Sequence, residues 1–242
     1  MQSTVMIGTA GWTIPTPLAA MFSGQGTHLE RYARRFSAVE INSSFYRPHK
    51  PSTYARWAAC VPPDFRFAVK LPREITHARK LVAATEPLDL FLTEIRALGD
   101  RLGPVLMQMP PSFRYDETPA SAFLEAFRAR FDGAIVCEPR NPTWFTDAVD
   151  DMLSHFQVAR VAADPAVMPR ATKPSGWGGI VYRRLHGSPR MYYSAYPAMA
   201  LDAVAQTMRE TPAHTQQNWC IFDNTANSEA TKDALSLLSR LL

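Results

Sequence analysis

Cysteine and histidine are scarce: three cysteines and six histidines stand among 242 residues. Cys60, Cys137 and Cys220 are odd in number and far apart. That argues against a disulfide frame or a zinc knuckle, and it fits reduced thiols in a cytoplasmic protein. No apolar run approaches the ~18 residues of a membrane helix. The opening residues carry no basic stretch followed by a long apolar run, so neither an export leader nor an anchor is expected. No Gly-x-Gly-x-x-Gly run follows an apolar stretch, which argues against a dinucleotide site of the usual kind. No repeat at solenoid periods is found.

Hydrophobic residues make up 46% of the chain, enough for a substantial core. The 20 prolines are spread along it and punctuate it. The net charge of +4 is mild, but its distribution is uneven. Between Arg31 and Lys80, 11 basic residues face three acids (Glu40, Asp64, Glu74), a local net of +8. Such a segment reads as a polyanion footprint or, for Arg31, Arg34 and Arg35, as a solvated helix face.

Short apolar runs alternate with amphipathic stretches. Strands are expected at Val5–Thr9, Ala38–Asn42, Phe65–Leu71, Pro104–Met109, Ala134–Cys137, Val158–Ala163, Ile180–Leu185 and Trp219–Phe222. Helices are expected at Leu29–Phe36, Pro51–Cys60, Glu86–Leu102, Ser121–Phe131, Trp144–Phe156, Ala198–Arg209 and Glu229–Leu242. Strict alternation implies parallel strands with right-handed crossovers. Eight such units in this length point to one domain over residues 1–242, an α/β fold of the TIM-type (β/α)8 barrel class. The sixth link, Pro165–Gly179, is rich in proline and glycine, so its helix is expected to be missing or vestigial. An open doubly wound sheet is the main rival.

Strand side chains alternate faces, so polar groups at the carboxyl ends of barrel strands gather at one mouth. The strand ends supply Glu40 and Asn42, Lys70, Gln108, Glu138 and Arg140, Asp164, Arg184 and His186, and Asp223 with Asn224. Any one of these is as readily a cap or a salt-bridge partner. Several together need pairing or a ligand, because buried charge is costly. Arg140 and Arg184 suit a phosphate or a carboxylate. The alternative is a structural network in which these charges neutralise each other. Trp12, Phe45, Tyr46, Trp144, Tyr192, Tyr193 and Tyr196 fall after strands, where they would stack on a ligand or plug the mouth.

Ile7-Gly8-Thr9-Ala10-Gly11-Trp12 and Val39-Glu40-Ile41-Asn42-Ser43-Ser44-Phe45-Tyr46 resemble the opening signatures of the YecE-like family, a domain of unknown function numbered 72. The resemblance continues through Phe67-Ala68-Val69-Lys70 to His77, Leu106 to Pro111 and Glu138 to Trp144. It resumes at Arg184-Leu185-His186-Gly187, Tyr193 to Tyr196 and Phe222-Asp223-Asn224. It implies a TIM-type barrel and supports the strand-end residues, but it supplies no activity. This chain departs from the family pattern in two places. Asp223 stands in a strand-eight motif that usually reads Phe-Asn-Asn, and Asn141 replaces a histidine.

Four functions are expected to compete. The first is an enzyme, a hydrolase of phosphodiester type, acting on a phosphate-bearing or nucleic-acid-like anion. Glu40, Lys70, Glu138, Asp164 and His186 are its catalytic candidates. Trp12, Asn42, Tyr46, His77, Gln108, Arg140, Arg184, Tyr193, Tyr196, Asp223 and Asn224 would contact the substrate. One carboxylate-bound divalent metal ion fits this reading, whereas a trinuclear zinc site is not expected with so few histidines. The second is a noncatalytic nucleic-acid-binding protein using the basic segment. A glycoside hydrolase with Glu40 and Glu138 as its pair, and a Schiff-base lyase through Lys70, complete the set.

Overall fold

The computed structural model describes residues 3–241. The strands are β1 (Thr4–Thr9), β2 (Ala38–Ile41), β3 (Arg66–Lys70), β4 (Leu102–Gln108), β5 (Ile135–Glu138), β6 (Val158–Arg160), β7 (Ala162–Asp164), β8 (Ser175–Gly176), β9 (Ile180–Leu185) and β10 (Gln217–Phe222). The helices are α1 (His28–Ala33), α2 (Pro51–Ala59), α3 (Thr85–Ile95), α4 (Glu117–Arg128), α5 (Asp147–His155), α6 (Ala198–Arg209) and α7 (Glu229–Leu241).

Helix starts follow local chemistry. A reciprocal Thr27–Glu30 capping box opens α1, and Pro51 opens α2. The expected helix over 86–102 ends at Ile95 and passes into a 3-10 segment, Arg96–Arg101, in which Gly99 at φ 52° breaks the helical path before Leu102 opens β4. Trp144 lies in a short turn ahead of α5, which starts after the Thr146 cap.

Two α/β sheets result, ordered β1-β10-β9-β7 and β2-β3-β4-β5-β6-β8, parallel except for the β6–β8 pair. Their edges adjoin in two places. The Gly11 amide donates to the Glu40 carbonyl at 2.9 Å beside an Ala10–Glu40 bridge. The extended stretch 158–164 pairs with β5 through its first half and with β9 through its second. Gly8 belongs to the first seam, since a Cβ there would lie 2.1 Å from the Ala38 carbonyl oxygen.

Alternation along the strands builds two cores. Met6, Ala38, Ala68, Leu106, Val136, Ala159, Val161, Ile180, Tyr182, Trp219 and Ile221 form the inner one. Outward residues such as Ile41, Phe67, Val69, Met107 and Cys137 join the helices in the larger one. Tyr182 stacks on Trp219, with centroids 5.6 Å apart. The sixth link holds only a short turn, Pro169–Thr172, and β8. Buried Arg160 and partly exposed Arg170 both bind Asp150, which ties this link to α5.

Candidate functional site

The inner-facing register runs apolar at the amino ends of the strands and polar at the carboxyl ends. Above the Tyr182–Trp219 stack, Arg184 is fully buried and spends its guanidinium on three carboxylates. Its Nε and Nη2 grip both oxygens of Glu40 at 3.0 and 2.7 Å. Nη1 donates to Glu138 at 2.6 Å, and Nη2 also donates to Asp223 at 3.0 Å. The Tyr182 hydroxyl donates to Glu40 at 2.9 Å, which links the apolar floor to the ionic layer.

His186 lies between two acids. Its Nε2 is 2.8 Å from Glu138 and its Nδ1 is 3.0 Å from Asp223. Burial pulls its pKa down, but Glu138 and the bonds to both carboxylates outweigh that, and the net direction is up. Both ring nitrogens face carboxylates, a geometry that favours the imidazolium form, which donates twice. Burial pushes Glu138 up, yet Arg184, His186 and Arg140 hold it well below the usual carboxylate range. Asp223 is likewise lowered against burial, chiefly by Arg184 and then by His186. Gln108 and Arg140 complete the shell of Glu138 at 3.1 and 2.7 Å.

Lys70 differs from every other ion here. The residue is 5% exposed, and its ammonium has no hydrogen bond or ion pair among the described residues. Its Nζ lies 4.2 Å from the Phe45 ring centroid. Burial, with Arg184 adding to it, lowers its pKa to about 8 against the pull of Glu40, Asp223 and Glu138. His77 stacks edge-on against the same Phe45 at 4.8 Å, and burial followed by Lys70 and Arg73 lowers its pKa. Asn42 follows the last paired residue of β2, Ile41, and its buried Oδ1 has no partner among the described residues. Tyr46 is 70% exposed and meets Phe45 at the rim.

Four carboxyl-end cations therefore face three carboxylates: Lys70, Arg140, Arg184 and His186 against Glu40, Glu138 and Asp223. Five expected site residues do not join this cluster. Trp12 packs on Trp57 and Phe67 in the helix layer, because Gly11 at φ 87° turns the chain away from the strand register. Asp164, expected as a catalytic acid, accepts from the Tyr196 hydroxyl at 2.7 Å beyond the strands. Tyr196 in turn accepts from the Gly187 amide. Asn224, one residue off the inward register, donates to the Ser194 carbonyl and to Asp233. Tyr193 lies at the surface under Arg190. Asp164, Tyr196 and Asn224 hold the 187–197 segment in place.

Tyr192, one of the aromatics expected at the mouth, covers His186 edge-on at 5.8 Å. Two features have no counterpart in the sequence analysis. Tyr182 reaches Glu40 from mid-strand, and its place two residues before Arg184 is the available signal. An apolar cavity of about 470 Å³ lies beside β7, β9 and α6, where a sixth helix would pack, away from the ionic cluster. Among the described residues, no group of three or more His, Cys, Asp or Glu is placed to hold a metal. Both oxygens of Glu40 and of Glu138 already accept N–H donors, so these carboxylates fit guanidinium better than a metal ion. No helix among the described residues is long and apolar enough to cross a membrane.

Fold and site together define an α/β protein of mainly parallel strands that collects buried ions at the carboxyl ends of those strands. Residues 6–242 match the family described as a protein of unknown function, DUF72, and the chain belongs to that family. It is 34% identical over 126 residues to the UPF0759 protein YecE of Escherichia coli (strain K12), which covers 52% of this chain and 46% of that protein. The chain thus matches about half the length of that relative. The UPF0759 protein YunF of Bacillus subtilis (strain 168) is 23% identical over 273 residues, covering 98% of this chain and 94% of its own. The fold is similar to the crystal structure of a DUF72 family protein from Thermotoga maritima, at 20% identity, a TM-score of 0.81, and coverage of 98% and 99%. A xylose isomerase-like TIM barrel/4-hydroxyphenylpyruvate dioxygenase fusion protein is similar at a TM-score of 0.53 and 13% identity, covering all of this chain and 42% of that one.

Proposed function

We propose that this chain is an enzyme that binds a small oxyanion, a phosphate ester or a carboxylate, at the carboxyl ends of its strands. Lys70 carries the reading: its side chain is almost wholly covered, its ammonium has no carboxylate partner among the described residues, and the three carboxylates of the cluster are already engaged. A partly desolvated cation without a counter-ion is costly, and an anion relieves that cost. Lys70 then holds the anion, with Arg140 beside it. His77, held neutral, is the group able to accept a proton, because both ring nitrogens of His186 are engaged. Arg184, Glu40, Glu138, Asp223 and His186 form the scaffold that positions this pair. Hydrolysis of a phosphate-bearing substrate is the reaction class that such a set serves.

The same reading takes residues 1–242 as one domain and joins the two sheets into a single eight-stranded TIM-type barrel, supported by the Gly11–Glu40 seam and the shared 158–164 stretch. Free Cys60, Cys137 and Cys220 support a reducing compartment such as the cytoplasm. A noncatalytic nucleic-acid-binding role is less well supported. Arg31 and Arg66 spend donors on backbone carbonyls, and Arg79 pairs with Glu74.

The test is calorimetric titration with inorganic phosphate and phenyl phosphate, followed by a hydrolysis assay on aryl phosphomonoesters and diesters. Binding abolished by Lys70→Met, with the fold retained by circular dichroism, is the expected result. Equal binding by wild type and Lys70→Met would end the reading.

A further inference from the structure

The ligand has a second requirement, carried by an atom that the ionic network leaves untouched. In the β2–β3 register Glu40 lies opposite Ala68 and Ile41 opposite Val69, so Asn42 follows opposite Lys70. Neighbouring strands lie ~4.8 Å apart. The Ser44 hydroxyl donates to the Ile41 and Lys70 carbonyls at 2.9 and 2.7 Å, which locks the two strand ends together. Asn42 Oδ1 is nonetheless buried without a donor. Buried polar atoms are rarely left so, and each one asks for an explanation. An ammonium without an ion-pair partner and an orphaned amide oxygen thus fall at the ends of adjacent strands, the ammonium 4.2 Å from the Phe45 ring centroid.

Resting on the anion reading above, we infer that the ligand is a hydroxylated oxyanion. One end is a phosphate or carboxylate that meets Lys70 Nζ. A hydroxyl one or two carbons away donates to Asn42 Oδ1. A plain anion would satisfy the lysine and leave the amide oxygen buried and unpaired. A neutral polyol would do the reverse. Only a compound with both groups satisfies both atoms, so the pair selects phosphorylated polyols or hydroxy acids over their deoxy counterparts.

Two matched pairs of probes test this by calorimetry: glycerol 3-phosphate against propyl phosphate, and lactate against propionate. The hydroxylated member of the better-bound pair is expected to bind about tenfold more tightly, the effect of satisfying one buried acceptor. That gap should close in Asn42→Ala, while Lys70→Met weakens every probe. The comparison on unmodified protein needs no variant to fold. Equal affinity within each pair, or a gap that persists in Asn42→Ala, overturns the inference. Lys70-dependent binding of propyl phosphate would still leave the anion reading standing. Binding of no probe, or binding indifferent to Lys70→Met, removes the anion reading and this inference with it. Which pair binds separates a phosphate ligand from a carboxylate.

Discussion

At the residue scale, Arg184 is the side chain on which the ionic layer turns. It is the shared partner of Glu40, Glu138 and Asp223, and all four are nearly or fully buried. Arg184→Met leaves three carboxylates without their common counter-ion. We expect a loss of about 3–5 kcal/mol in denaturant unfolding. The pH dependence follows from the same contacts. The folded-state pKa values of Glu138 and Asp223 are lowered, so the stability they contribute is present above the unfolded carboxylate value and is lost as pH falls through their folded values. His186 is raised, so its contribution is complete below the unfolded histidine value and is lost as pH rises through the folded one. A melting-temperature profile should therefore fall on both sides, and His186→Asn should flatten the alkaline side. A wild-type profile already flat there would contradict the imidazolium assignment. Lys70 must be charged to hold an anion, so affinity is expected to fall as pH rises past about 8. Lys70→Arg should carry binding to higher pH, provided the bulkier head fits beside Phe45.

At the element scale, the 187–197 segment is secured from outside the strands. Asp233 on α7 accepts from the Asn224 amide at 2.7 Å and from the Tyr196 backbone at 3.0 Å. Gly187 turns the chain at φ 92°, where a Cβ would meet the Ser194 carbonyl at 2.7 Å. Asp233→Ala removes one acceptor from two buried donors, at a cost of about 1–3 kcal/mol. The expected sign is faster limited proteolysis within 187–197, with cleavage elsewhere unchanged. Uniformly faster cleavage would mean that Asp233 supports the whole fold instead of this segment. Tyr196 and Asn224, expected as substrate contacts because they follow strands, are engaged within this segment. Parity places Asn224 there: residues 219 and 221 face inward, so 224 faces out.

At the scale of the whole molecule, the two seams decide whether the sheets behave as one. The Gly11 amide donates to the Glu40 carbonyl across the first seam. In a continuous sheet this amide exchanges hydrogen as slowly as those of β4 and β5, since all of them open together. Fast exchange confined to Gly11 would mark an open edge.

How much of this was legible beforehand depended on whether a signal was local. Period-two alternation identified β9 and its inward Arg184 and His186, and helical spacing identified α6, because both rest on neighbours in sequence. The same local rule marked Glu40, Lys70, Glu138 and Asp223 as members of one rim. It could not say that Glu40, Glu138 and Asp223 converge on Arg184, 144, 46 and 39 residues away along the chain, while Lys70 is left unpaired. Nor could it say that Asp164 turns to Tyr196 instead. Backbone sterics and hydrophobic periodicity act over a few residues, so the chain by itself determined its elements and the faces they bury. Which charge meets which depends on strand order and register, and these exist only once the sheets have assembled.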